Sequence, residues 1–289
     1  MKNLLNSILL ISGMMVLFTS CESMLSDVDA PVSDPKLVVT GFLSPNVDTI
    51  SIMVRKSRPL YVPSTGYSDP FPFVSNATVT ISDGMNSLNI PYNIPNGNYL
   101  FRAEDMPVVP GKTYTLIVTT PEGYNATSHC TVPAENAPVV EITSIDTINQ
   151  GGTIAKKVSL RFRDLPGSGH FYRLSVGAFY KYDYNTEAYF SEVGLERGLN
   201  YVSDKNKDGE YFTFRTTEIY AYNSTNDSLY ISLLVTDENY YNYHRSFNSN
   251  DGDNPFSEPS PVYSNIEGGL GVFAGINGKI TSYHMGAAK

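Results

Sequence analysis

Residues 254–275, NPFSEPSPVYSNIEGGLGVFAG, decide how the rest of the chain is read. Two short apolar runs, Pro261–Tyr263 and Gly271–Ala274, are joined by polar, Gly-rich backbone. A helix interior loses about 1 kcal/mol for each Gly relative to Ala and about 3 for each Pro, so no packed helix fits here. Gly268, Gly269, Gly271 and Gly275 instead mark bulges or places where another backbone comes close. The stretch predicts a Pro-guarded edge segment running into a final, closely packed strand.

Upstream, strand signals recur at short intervals. Lys36–Phe42 and Thr49–Arg55 alternate apolar and polar residues. Ala77–Ser82, Ser87–Tyr92, Tyr99–Arg102, Thr113–Thr119 and Tyr124–Val132 follow. Asp83-Gly84 and Asn96-Gly97 between such runs are strong hairpin signals. Seven short strands in this space predict an immunoglobulin- or fibronectin-like β-sandwich over residues 35–133. Pro110-Gly111-Lys112-Thr113-Tyr114 resembles the corner that opens the penultimate strand of such folds, where the Tyr hydroxyl ties back to upstream backbone. The Pro133–Pro138 segment is a boundary, and residues 138–289 are again rich in strand signals. They predict a second β-rich sandwich or barrel with one short helix, Asp237–Phe247. Thr236 or Asp237 would cap that helix, and Tyr240, Tyr243, His244 and Phe247 would share one face. Asn254–Gly275 is expected to supply the strands that close this second module. The fold class expected is all-β.

The first 20 residues read as an export signal: Lys2, then a mostly apolar Leu4–Phe18 too short for a spanning helix. Phe18-Thr19-Ser20-Cys21 is close to the bacterial lipobox, which makes Cys21 the expected lipidation site and N-terminus of the mature chain. Residues 21–34 read as a polar tether. The net charge is −9, with 29 acidic and 20 basic residues. That balance argues against nucleic acid and against peripheral adsorption to anionic lipid. Cys130 is the only other cysteine, so there is no disulfide framework. Its place in an alternating run predicts a buried thiol.

Few motifs point to chemistry. Asp204, Asn206 and Asp208, with Gly209 next and Glu210 at the carbonyl position, open like a calcium loop, but Arg215 stands where the bidentate acid belongs. Calcium binding and a plain Asp-Gly turn both remain open, and no other cofactor is implied. Gly269–Ala274 matches a dinucleotide fingerprint without room for the fold it needs. The four His lack zinc-site spacing, and no nucleophile elbow is present. Tyrosine is abundant at 21 residues, and Tyr180, Tyr182 and Tyr184 alternate with polar residues. This suits either a contact surface for a peptide or glycan or a sheet that packs with Tyr.

The C-terminal stretch, together with PKLVVTGFLSP at Pro35–Pro45, RFRDLPGSGHFYRLSV at Arg161–Val176 and TDENYYNYHRSF at Thr236–Phe247, resembles a Bacteroidetes outer-membrane lipoprotein family of unknown function. The resemblance implies a surface lipoprotein commonly associated with SusC/SusD-type uptake systems, and no known activity. Glu22, Asp27 and Asp29 resemble the acidic export signal of that phylum. The expectation is a non-enzymatic accessory or ligand-capturing protein, held by its lipid anchor in the outer membrane and facing the exterior. A cell-surface adhesion protein and an unrecognised hydrolase are the alternatives.

Overall fold

The computed structural model describes residues 34–57, 72–181, 188–198, 200–220, 228–249 and 261–284. Among them are seventeen strands and one α-helix, so the all-β expectation holds. No helix among the described residues is long and apolar enough to cross a membrane.

The first module has the expected sandwich. Strands β1 (Leu37–Leu43), β2 (Thr49–Lys56), β6 (Asn98–Arg102) and β5 (Tyr92–Asn93) pair in that order. The facing sheet runs β4 (Ser87–Ile90), β3 (Thr78–Ser82), β7 (Thr113–Thr119), β8 (Asn125–Thr131). Strict alternation puts Leu37, Val39, Ile50, Ile52, Ile81 and Leu116 into one core and their neighbours outside. Tyr114 forms the predicted corner. Its hydroxyl donates to Pro107 O at 3.0 Å and accepts from Val109 N at 2.8 Å. Cys130 faces the same core, and burial pushes its thiol well up from the ordinary range.

The second module is a sandwich too. One sheet holds β9 (Glu141–Gln150), β10 (Thr153–Arg163), β14 (Tyr211–Arg215) and β15 (Ile219–Tyr220). The other joins β11 (Phe171–Lys181) to β12 (Ala188–Val193) and β13 (Tyr201–Ser203) on one edge and to β16 (Ser228–Thr236) on the other. Between the sheets, Val158, Leu160, Phe162 and Phe212 meet Tyr172 and Leu174 of β11 and Leu229, Ile231 and Leu233 of β16.

The final strand, β17 (Gly269–His284), belongs to both modules. Its first half, Gly269–Gly275, pairs in parallel with Leu37–Leu43 of β1, and its second half, Ile276–His284, pairs antiparallel with β16. The expectation that Asn254–Gly275 closes the second module is therefore corrected: the Gly-rich run completes the first sheet. Nor is Pro261–Tyr263 a strand. The described part of that segment meets β8 through a bridge between Glu267 and Thr127, and Ser128 Oγ donates to Asn265 O at 2.8 Å. Asn265 adds to this cover over β8, its amide reaching Phe273 O at 2.7 Å and His129 O at 3.2 Å.

The run Val272-Phe273-Ala274 is continuously apolar because both its faces are covered. Phe273 enters the first core, while Val272 and Ala274 lie with Tyr240 of the helix, α1 (Glu238–Ser249). Gly271 has φ +108°, and a Cβ there would collide with Val39 O. At Gly275 a Cβ would stand 2.6 Å from Thr131 O, so β8 passes closer than any side chain allows.

Asp237 caps α1. Tyr240 N donates to Oδ1 and Gly275 N to Oδ2, both at 2.9 Å, and Asp237 N donates to Gly275 O at 2.9 Å. The helix face differs from the expected one: Tyr240 and Tyr241 are buried, Tyr243 and His244 are half-buried, and Phe247 is 60% exposed. The segment between the modules is fastened by buried Asn277, whose amide donates to Pro133 O and Glu135 O at 3.1 and 2.9 Å.

Candidate functional site

A cleft of about 830 Å³ opens beside β14. Its walls are β13, the 204–210 loop, β14 and the last turns of α1. Alternation along β14 sends Phe212 into the core and turns Tyr211, Thr213 and Arg215 outward. The loop between β13 and β14 begins at Asp204, passes Asn206 at φ +65°, and so projects Lys205 and Lys207 into solvent at the cleft. From the helix come Tyr241 and Arg245, and from β13 comes Tyr201.

Among the described residues, the cleft is lined by Lys205, Lys207, Arg215 and Arg245 against one acid, Glu196. Glu196 is engaged by Lys157 at 2.8 Å, which holds its carboxyl below the ordinary range. Arg215 pairs with Asp146 at 2.8 Å, and Arg245 donates to the Tyr241 hydroxyl. Lys207 lies 5.7 Å from the Phe212 ring centre, and Arg161 lies 4.7 Å from that of Tyr211. A cation over a ring face is attracted by the ring's quadrupole, which ties Lys207 to the wall of the cleft. Behind this wall His244 is packed among Phe42, Tyr201 and Tyr240, stacked on Tyr201 at 5.4 Å. Burial, with Arg173 nearby, lowers its pKa to about 4, while burial pushes Tyr240 up to about 12.

The residues singled out in the sequence fall as follows. Cys21, Tyr182 and Tyr184 lie outside the described residues. Tyr180 is in β11, opposite Tyr189 of β12. Of the calcium-like set, Asp204 is buried, whereas Asn206, Asp208 and Glu210 are exposed. Asp204 Oδ2 accepts from His170 N at 2.9 Å, and Asp208 Oδ1 accepts from Gly167 N at 3.0 Å. The loop thus uses two of its carboxylates to hold the β10–β11 turn.

Sequence reading misses the cleft's own residues. In sequence the loop stands out for its oxygens, yet Lys205 and Lys207 are the groups it offers to the cleft. Their spacing on either side of Asn206 is the available signal. Tyr201, Tyr211 and Tyr241 come from three separate elements, and no local pattern groups them.

No curated protein matches this chain. A family model described as a domain of unknown function, DUF4249, matches residues 25–281. That span takes in both sandwiches and all but the last three residues of the strand they share, and the chain belongs to the DUF4249 family.

Proposed function

We propose that the chain is a non-enzymatic, ligand-capturing lipoprotein, anchored through Cys21 in the outer membrane of a Bacteroidetes cell, facing outward beside a SusC/SusD-type uptake system. The observation that carries this reading is the tyrosine-lined cleft with four cations on a chain of net charge −9. Its volume of about 830 Å³ suits a short peptide or glycan segment. Positive charge gathered in a concave site draws an anionic ligand even when the whole molecule is acidic. The tyrosines supply rigid contact area with polar tips. Glu196 supports contact rather than catalysis, because a general acid needs its pKa raised and Lys157 lowers this one.

The test is chemical cross-linking on intact cells followed by recovery of the chain from solubilised membranes. Recovery with a TonB-dependent transporter or a SusD-like partner is expected, and recovery with neither overturns the reading. On the purified chain, Lys205→Glu with Arg245→Glu is expected to weaken an acidic oligosaccharide or acidic peptide at least about tenfold, since a focused charge contact is worth about 1.4 kcal/mol or more.

A further inference from the structure

Buried Asp204 lies beside Asp164 and His170. Asp164 and His170 stand at the two ends of the β10–β11 turn and Asp204 follows β13, so two segments distant in sequence bring the three donor atoms together. All of those atoms lie within 4.8 Å of one another. The two carboxylates are only 4% and 5% exposed. Among the described residues neither forms an ion pair with Lys or Arg. Asp164 accepts from the Tyr172 hydroxyl at 2.6 Å and from Gly209 N at 2.9 Å; Asp204 accepts from His170 N at 2.9 Å. These donors are neutral. His170 Nδ1 is itself buried and lies 3.3 Å from Asp204 Oδ2, yet it is not aligned for a hydrogen bond with any described group. Two carboxylates without a Lys or Arg partner and a ring nitrogen without a hydrogen bond, all removed from water, form a cluster of donor atoms that the described residues leave unsatisfied.

We infer that Asp164, His170 and Asp204 bind a divalent cation of the Zn²⁺ or Mn²⁺ type. One imidazole and two carboxylates make a mixed nitrogen–oxygen set, which such ions accept. Calcium takes six to eight oxygens and finds too few here. Ligand atoms about a tetrahedral ion at ~2.1 Å stand ~3.4 Å apart, so the site closes by side-chain shifts on the order of 1 Å. The hydrogen bonds from Tyr172 and Gly209 to Asp164 orient that carboxylate in the way outer partners of a metal ligand do. Bound metal would pin the β10–β11 turn to the 204–210 loop, and that loop carries Lys205 and Lys207 at the cleft. The site stands on its own donors, whatever the cleft holds.

The test uses the mature chain made soluble by Cys21→Ser, stripped with EDTA and titrated with Zn²⁺, Mn²⁺ and Ca²⁺ by calorimetry and thermal melting. One equivalent of Zn²⁺ or Mn²⁺ is expected to bind and raise the melting temperature, with Ca²⁺ weaker than both. His170→Ala is expected to weaken binding at least about tenfold, the lower figure for loss of even an outer partner. Nitrogen-15 imidazole spectra of the unsubstituted chain need no variant, and they place the ion at His170 if its Nδ1 resonance moves on addition of Zn²⁺. Absence of Zn²⁺ and Mn²⁺ binding, unchanged affinity in a folded His170→Ala variant, or an unmoved His170 resonance each overturns the site.

Discussion

Asp237 shows how much one side chain holds together. Its carboxylate caps α1 through Tyr240 N and fixes β17 through Gly275 N, each at 2.9 Å. Backbone N–H donors favour the charged form, but burial outweighs them and raises the pKa to about 6. The unfolded chain titrates this group near 3.9. The folded state therefore holds the proton more tightly, and the stability this contributes is full below about pH 4 and lost as pH rises through 6. The range corresponds to up to about 3 kcal/mol by linkage. His244 acts in the opposite sense: its pKa of about 4 lies below the ordinary value, so falling pH costs stability through that group. Comparing urea unfolding of the unsubstituted chain with Asp237→Asn cancels the histidine. The gap between the two proteins should widen in favour of Asp237 as pH drops from 7 to 4.5, and parallel pH profiles would refute this. Gly271 is a second such residue. Gly271→Ala meets both a φ of +108° and a collision with Val39 O, and should cost about 3 kcal/mol or more in unfolding free energy.

At the scale of elements, the helix gives the sharpest contrast. Tyr240→Ala should cost about 3–5 kcal/mol, because the ring is 3% exposed and packs edge-on against Phe42 at 5.1 Å. Phe247→Ala should lie within about 0.5 kcal/mol of neutral, since that ring is 60% exposed. Denaturant midpoints of the two variants decide whether the helix buries its Tyr240 end alone. The sequence pattern places Phe247 on the same face because a period of 3.6 residues says which side chains align, but not where the sheet beneath the helix ends. The strands of the first module are legible for the opposite reason, as each alternates over a core that lies on one side only. The end of β17 is harder to read. Asn277-Gly278 has the composition of a two-residue turn, yet it sits mid-strand. There Gly278 lets Leu233 O approach, and Asn277 holds the Pro133–Glu135 backbone. The cleft is the least legible feature, since β13, β14 and α1 meet only in the folded chain.

The shared strand sets the behaviour of the whole molecule. β1 has β2 on one side and β17 on the other, so residues 35–133 alone would expose the open edge of β1 and leave the place of Phe273 in the first core empty. Filling that place with a fully buried Phe is worth about 1.5–3 kcal/mol, before the seven residue pairs of the parallel ladder are considered. β16 would be left with the same kind of open edge in residues 138–268. An open, apolar edge strand invites pairing with other chains. The two sandwiches should therefore unfold together although their cores are separate. Thermal unfolding of residues 35–289 followed by near-ultraviolet dichroism and by calorimetry should give one coincident transition. A chain ending at Gly268 should lose both modules to aggregation, and adding a peptide of residues 269–284 during refolding should restore soluble protein. Two resolved transitions, or a soluble and cooperative 35–133 fragment, would mean that β17 decorates the first sandwich without being needed to complete it.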